Sequence, residues 1–198
     1  MKDLKNGYIY YDYHKKTEKE EIADVAWTSL FRWVYALVGI LCVMFVVFML
    51  FFKIVSVDGR SMLPTLEDSD KLLVYSLAYK PEQGDIVVIG SMDETDSVLV
   101  KRVIAVENQT VEVNYETGKV YIDGMELGED YITEMTIPDD NEIEYPYIVP
   151  DGCIFLMGDN RNESGDSRSK LIAAIDESLV AGKVVARLYP FSHMSILN

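Results

Sequence analysis

One apolar run dominates the amino-terminal third of the chain. The twenty residues from Trp33 to Phe52 carry no charge and are bounded by Arg32 and Lys53. A helix of this length crosses a hydrocarbon layer about 30 Å thick. The run therefore predicts one transmembrane helix over residues 33–53. No second run of comparable length follows, so we expect residues 54–198 to form one soluble domain on one side of the membrane.

A cleaved secretory signal is the alternative reading of this run. The run is too long for the apolar part of such a signal, and Phe51, Phe52 and Lys53 follow where a cleavage site needs small residues. We therefore expect the anchor to be retained. The six Lys or Arg residues among the first 32 favour a cytoplasmic tail at residues 1–32 and an extracytoplasmic domain after the span. A capping-box pattern at Thr17 predicts a helix from about residue 17.

The domain after the run is strongly acidic, and this excludes several partners. Residues 53–198 hold 12 Lys or Arg against 27 Asp or Glu, which accounts for the whole net charge of −15. Such a surface repels phosphates, so no nucleic acid is expected as a partner. The two histidines, His14 and His193, offer no pair at zinc-ligand spacing, so we expect neither a metal nor another cofactor. Cys42 and Cys153 predict no intrachain disulfide.

Residues 54–198 have the pattern of a mainly β domain. Runs rich in β-branched and aromatic residues, separated by Gly, Pro, Asn and Asp, predict strands. These runs are 54–58, 71–75, 85–89, 98–107, 110–115, 119–122, 153–157 and 180–189. We expect an antiparallel β-domain with one core and a small, acidic, variable insert at about residues 107–150. Only residues 171–179 suggest a helix.

Two motifs forty residues apart suggest a hydrolase. Ser61 begins the motif Ser-Met-Leu-Pro-Thr-Leu, and Lys101 lies inside an apolar run. A serine hydroxyl is a poor nucleophile until a nearby base takes its proton, and little histidine is available here. A lysine can serve if burial lowers its pKa from about 10.4. In a strand, Lys101 shares a face with Leu99 and Val103, which favours that burial. Taken alone, such a lysine is more often a charged residue at a strand edge.

A third motif makes the pattern specific. Residues 157–168 read Met-Gly-Asp-Asn-Arg-Asn-Glu-Ser-Gly-Asp-Ser-Arg and predict a polar loop after an apolar strand. In their order and spacing, and with the apolar run before them, the three motifs resemble those of the bacterial type I signal peptidases. These are membrane-anchored serine-lysine endopeptidases that remove signal peptides from exported proteins. The resemblance extends from about residue 33 to residue 190.

The resemblance assigns roles to individual residues. It implies that Ser61 is the nucleophile and Lys101 the general base, and that the Ser164 hydroxyl holds the lysine amine in place. It implies a supporting role, bracing the loop through a salt bridge, for the charged residues of the third motif, which are Asp159, Asp166 and Arg168.

One position departs from part of the family. Many members have a serine two residues before the nucleophile, and its hydroxyl is thought to contribute to the oxyanion hole. Here the residue is Gly59, as in the shorter members that resemble those of Gram-positive bacteria. The backbone N–H of Ser61 can supply one oxyanion donor, and the sequence does not identify the second. A glycine at this position also suits a backbone bend.

Substrate contacts also follow from the resemblance. Family substrates have alanine-like residues one and three positions before the cut, and an extended peptide can add to a sheet edge. The residues expected near the two pockets are Val55, Val57, Met62, Leu99 and Val100. Ser61 lies nine residues beyond the apolar run, a link of at most about 30 Å. The expected partners are therefore signal peptides of exported preproteins and the lipid bilayer.

Two other kinds of protein fit parts of this pattern. A membrane-tethered β-domain that binds peptides or assists assembly without cutting them is the main alternative, because some relatives lack the serine and lysine. The presence of both Ser61 and Lys101 favours the enzyme. The self-cleaving SOS repressors use a related serine-lysine pair on a similar β-fold, but the acidic charge counts against a DNA-binding protein.

Overall fold

A long helix precedes a series of antiparallel strands. A computed structural model describes residues 4–5, 8–9, 18–77, 79–90 and 98–197, so the predicted cap at Thr17 lies outside the described residues. The chain divides into two compact units, residues 1–48 and 49–198. The elements are β1 (Leu4–Lys5), β2 (Tyr8–Ile9), α1 (Glu18–Phe51), β3 (Phe52–Ser56), β4 (Lys71–Tyr75), β5 (Ile86–Ile89), β6 (Leu99–Ala105), β7 (Thr110–Asn114), β8 (Lys119–Ile122), β9 (Met125–Glu126), β10 (Tyr147–Ile148), β11 (Cys153–Met157), β12 (Ile175–Asp176), β13 (Val180–Tyr189) and β14 (Ser195–Ile196).

Helix α1 contains the whole uncharged run except Phe52. Its stretch from Glu21 to Phe51 is, in the part of the chain that the structure describes, the one helix long and apolar enough to cross a membrane. Large apolar side chains such as Trp33, Ile40 and Phe45 are more than half exposed. A helix that is apolar on all sides suits surroundings that are themselves apolar. Its length and composition therefore fit a bilayer span.

The larger sheet carries the three sequence motifs. Its strand order is β12-β11-β6-β5-β13-β4-β3, with β14 also paired to β13, and every pair is antiparallel. Strand β6 lies between β5 and β11, so Lys101 is in the interior of the sheet. Strand β3 lies at the end of the order and pairs with β4 alone among the described residues. The turn that holds Ser61 follows this edge strand.

A second, smaller sheet lies within the range expected for the insert. Its order is β10-β7-β8-β9. Val111, Val120 and Ile122 of this sheet are buried in one cluster with Phe155 and Met157 of β11. The two sheets therefore share apolar contacts along the strand that leads into the loop 158–168.

The mainly antiparallel β-fold with one preceding apolar helix confirms the predicted fold class. The helix suggested at residues 171–179 was wrong. Ile175–Asp176 form β12 against β11, and Glu177–Leu179 form a single 3₁₀ turn. The Asp176 side chain accepts a hydrogen bond of 2.8 Å from the Ser178 backbone N–H, which favours a capped turn at this point.

Candidate active site

The turn that carries Ser61 begins with a glycine in the left-handed region. Gly59 has φ +89°, a conformation that residues with a Cβ rarely adopt. A Cβ at this position would meet no atom within 4 Å, so the backbone angle, not crowding, requires the glycine. The Gly59 N–H donates to Asp68 Oδ1 at 2.9 Å. This hydrogen bond fixes the start of the turn, and it leaves the Gly59 N–H unavailable to another acceptor.

Ser61 and Lys101 meet in the structure. Lys101 Nζ lies 2.7 Å from Ser61 Oγ, a hydrogen bond between residues forty positions apart. Lys101 is only 4% exposed, and its cross-strand partner on β5 is the fully buried Val87. Because cross-strand partners share a face of the sheet, the lysine stem lies on an apolar surface. The structure thus brings the two sequence motifs together at this point.

Burial also controls the charge of the lysine. Desolvation is the largest influence and lowers the pKa of Lys101 from its ordinary value. Three charged groups act more weakly: Asp166 and Asp159 raise this pKa, and Arg168 lowers it. Desolvation outweighs the two carboxylates because both are paired with arginines within the protein. The amine can therefore exist uncharged at a lower pH than an exposed lysine.

The loop 158–168 packs directly against the Ser61 turn. The Asn160 N–H donates to the Ser61 carbonyl oxygen at 3.0 Å, and the Asn160 side-chain amide donates to the Arg60 carbonyl oxygen, also at 3.0 Å. A Cβ on Gly158 would collide with the Ser61 carbonyl oxygen and with the Ser164 side chain. Glycine is needed here because of this close approach.

Ser164 does not make the expected contact with the lysine. Its Oγ is buried and has no hydrogen-bond partner among the described residues, so the predicted bond to Lys101 is absent. The physical reason is packing, because the Ser164 hydroxyl lies against the backbone of Gly158. The Ser164 side chain and the Ser61 carbonyl oxygen both lie close to Gly158.

Asp166 and Arg168 form the expected salt bridge. Arg168 Nε donates to Asp166 Oδ1 at 2.8 Å and Arg168 Nη2 to Oδ2 at 2.9 Å, and both side chains are almost fully buried. Asp166 Oδ2 also accepts from the Gly158 N–H at 3.0 Å, and Arg168 donates to the Arg161 carbonyl oxygen. The pair thus fixes the loop at Gly158, where it touches Ser61.

Asp159 pairs with a residue that sequence reasoning did not select. Arg102 donates through Nε and Nη2 to the two Asp159 oxygens at 2.9 and 2.7 Å, and both residues are buried. Asp159 Oδ2 also accepts from the Thr65 hydroxyl. The hydrogen bonds among Arg102, Asp159 and Thr65 connect β6, the loop 158–168 and the turn after Ser61. The available signal was the presence of two consecutive basic residues, Lys101 and Arg102, inside an apolar strand. A buried charge needs a buried partner, so this pattern indicated that Arg102 would have an acidic partner in the core.

The expected substrate-pocket residues fall into two groups. Val57, Met62 and Val100 are buried in one apolar cluster, and Val55 of the edge strand β3 packs against it. Leu99 is half-buried and packs against a different cluster, centred on Val87 and Ile89. The structure therefore brings together four of the five residues beside the Ser61 turn and separates Leu99 from them.

Among the described residues, no group of three His, Cys, Asp or Glu side chains is placed to hold a metal ion. Both cysteines are free thiols, and desolvation raises the pKa of the half-buried Cys153. A raised thiol pKa disfavours the reactive thiolate.

Comparisons with known proteins place this arrangement in a class of peptidases. Probable signal peptidase I-1 of Synechocystis is 37% identical over 72% of this chain and 74% of its own length. Signal peptidase I of Bacillus licheniformis is 36% identical over 84% of this chain and 92% of its own length. A family model described as signal peptidase, peptidase S26, matches residues 30–189.

The chain belongs to this signal peptidase family. Among solved structures, a signal peptidase I of Enterococcus faecalis aligns with a TM-score of 0.44 and 29% identity, over 54% of this chain and 97% of that one.

Proposed function

We propose that the protein is a membrane-anchored serine endopeptidase that removes signal peptides from exported preproteins. Ser61 is the nucleophile and Lys101 is the general base. The observation that carries the proposal is the 2.7 Å hydrogen bond between Ser61 Oγ and a lysine amine that is only 4% exposed. A buried amine with a lowered pKa can accept the proton that a serine must lose to become a nucleophile.

The reaction follows in two stages. Neutral Lys101 takes the Ser61 proton as Oγ forms a bond to the scissile carbonyl carbon, and the lysine then gives that proton to the leaving amine as the peptide bond breaks. Water, deprotonated by Lys101, next attacks the acyl-enzyme ester, and Lys101 returns that proton to Ser61 Oγ as the ester bond breaks, which releases the acid and the free serine. The Ser61 N–H has no acceptor among the described residues and so is available to the oxyanion.

The edge strand β3 offers a place for the substrate. Its free edge lies beside the Ser61 turn, and an extended peptide can pair with such an edge through main-chain hydrogen bonds. Alternate side chains of the peptide would then reach the apolar cluster that contains Val55, Val57, Met62 and Val100. Because these side chains already fill that cluster, only small substrate residues fit beside them.

Helix α1 provides the anchor in this proposal. The six Lys or Arg residues of the tail at residues 1–32 favour a cytoplasmic amino terminus, since acidic residues count for little in this rule, and residues 54–198 would then lie outside the cell membrane. A signal peptide embedded in the same bilayer presents its cleavage site near the membrane surface. The short link between α1 and Ser61 suits a substrate presented there.

Cleavage of a model preprotein by the full chain in lipid or detergent tests this function. We expect one cut, with alanine-like residues one and three positions before it, and a rate that rises with pH. The rise reflects deprotonation of Lys101, so its midpoint should lie below the value of about 10.4 for free lysine. Binding of the preprotein without any cut would instead favour a peptide-binding β-domain. A rate that is constant from about pH 6 to about pH 10 would contradict the role of Lys101.

Gly158→Ala should lower turnover strongly. The added Cβ would overlap the Ser61 carbonyl oxygen, so the nucleophile must move. A displacement of about 1 Å can reduce a rate about a hundredfold, and we expect a loss of that order in kcat. Gly165→Ala is the matched control, because a Cβ on Gly165 in the same loop meets no atom within 4 Å. Equal turnover by the two variants would show that the close approach of Gly158 to Ser61 is unimportant.

A further inference from the structure

One segment of the insert contacts the middle of the active-site loop. Residues 129–137, here called the clasp, follow β9 and contact the 3₁₀ turn Arg161–Glu163 of the loop 158–168. The Glu129 carboxylate pairs with Arg161, and both side chains are buried. Asn162 donates to the Met135 carbonyl oxygen at 3.1 Å and accepts from the Ile137 N–H at 3.3 Å. The clasp is therefore joined to the loop by a buried ion pair and by hydrogen bonds between the Asn162 side chain and the clasp backbone.

Tyr131 extends these contacts to the strand that carries Lys101. Its ring lies over the Arg102 guanidinium, with Cζ 4.0 Å from the ring centroid, and Arg161 Cζ lies 5.9 Å from the same centroid. Burial, followed by the Glu129 charge, raises the pKa of Tyr131 to about 12, so the phenol is neutral at physiological pH. A guanidinium over a neutral aromatic face is a favourable cation–π arrangement, strengthened where water is excluded.

Arg102 is the residue through which this ring can affect the reacting atoms. It follows Lys101 in β6 and donates two hydrogen bonds to Asp159, which accepts one from Thr65, four residues after Ser61. The orientation of the guanidinium therefore affects the position of β6, which carries Lys101, relative to the turn that carries Ser61. Its remaining hydrogen bond goes to the Gly84 carbonyl oxygen at 2.8 Å, and the ring of Tyr131 covers its face.

We propose that Tyr131 is a positioning residue for the Ser61–Lys101 pair and acts by holding the Arg102 guanidinium against Asp159. This inference rests on the proposed peptidase function. Through Tyr131, the insert would influence the reaction although it does not contact the substrate. The aromatic ring is the required feature, because it both attracts the cation and keeps water from the Arg102–Asp159 pair. The phenol oxygen is not needed.

Three variants of the full chain in lipid test the inference, with cleavage of the same model preprotein measured from pH 6 to pH 10. Tyr131→Leu should lower kcat by about twofold to thirtyfold, the range that a lost cation–π contact allows, and leave KM within about twofold. Tyr131→Phe should match the wild type. Tyr121→Leu, in β8 of the same subdomain, is the control and should also match it.

The pH profile separates positioning from mere stability. The charged neighbours of Lys101 are Asp159, Asp166 and Arg168, and a loosened Arg102 compensates the Asp159 carboxylate less. Because Asp159 raises the pKa of Lys101, we expect the midpoint of the rate profile to move to higher pH in Tyr131→Leu. A smaller folded fraction would instead lower the rate equally at every pH. Such a uniform loss, an unchanged Tyr131→Leu, or a Tyr131→Phe as slow as Tyr131→Leu would overturn the inference. An inactive wild type would overturn the peptidase proposal itself.

Discussion

Ser61→Ala should leave no detectable cleavage of a preprotein, and Lys101→Met should lower kcat by about 10²- to 10⁴-fold. In the proposed mechanism the first variant removes the oxygen that forms the acyl-enzyme, and the second removes the base, whose contribution typically has that size. Methionine keeps most of the volume of the buried lysine, so the fold around β6 should remain. Single-turnover cleavage by the purified full chain measures both effects.

A second serine-lysine pair in the same sheet supplies the matched control. Lys71 Nζ donates to Ser56 Oγ at 2.6 Å, but both residues are exposed. Lys71→Met should therefore keep kcat within about twofold, since the proposed mechanism needs an amine that is buried as well as close to a serine hydroxyl. Comparable losses from Lys71→Met and Lys101→Met would contradict the proposed base.

Lys101→Met should also make the domain more stable at low pH. The lysine has a lower pKa folded than unfolded, so between these values the unfolded chain binds the extra proton and wild-type stability rises with pH. The cost of burying the amine is complete below the folded pKa and disappears above the unfolded value, about 10.4. The stability advantage of Lys101→Met should shrink accordingly as pH rises. An advantage that grows with pH would mean that the folded protein favours the charged amine.

The sequence predicted the long strands because their residues specify them locally. Runs rich in β-branched and aromatic residues, bounded by turn residues, predicted 71–75, 119–122, 153–157 and 180–189 with the bounds that the structure shows. The two-residue strands β9, β10, β12 and β14 were not predicted, because two residues are too few to show a strand pattern. Strands β10 and β12 form by pairing with strands distant in sequence, whereas β9 pairs with the adjacent β8.

The site was predictable in part for a similar reason. The sequence motifs and the family resemblance selected Ser61 and Lys101, which the structure joins by a hydrogen bond. Because side chains alternate along a strand, Arg102 lies on the face of β6 opposite Lys101. That face is buried too, as shown by Ile86, the cross-strand partner of Arg102. The sequence offered no means of pairing Arg102 with Asp159, 57 residues away. The direction of the Ser164 hydroxyl depends on packing against Gly158, which a motif does not encode.

Breaking the Arg102–Asp159 pair should destabilise the protein more than any surface change. Asp159→Ala leaves a buried guanidinium without its carboxylate, which typically costs about 3–5 kcal/mol. At about 2–4 °C per kcal/mol for a domain of this size, the melting temperature should fall by about 6–20 °C. Thermal unfolding of the full chain in detergent measures the change. Glu126→Gln, at the exposed Lys119–Glu126 pair, is the control and should leave the melting temperature nearly unchanged.

The double variant Arg102→Met/Asp159→Leu distinguishes stability from geometry. Replacing both charges by apolar residues removes the unpaired group, so most of the lost stability should return. Turnover should stay low, because Thr65 still lacks its acceptor and β6 is no longer tied to the Ser61 turn. Recovery of turnover together with stability would show that the pair only supports the fold. Stability without turnover would show that its buried charges are retained to hold the base and the nucleophile at bonding distance.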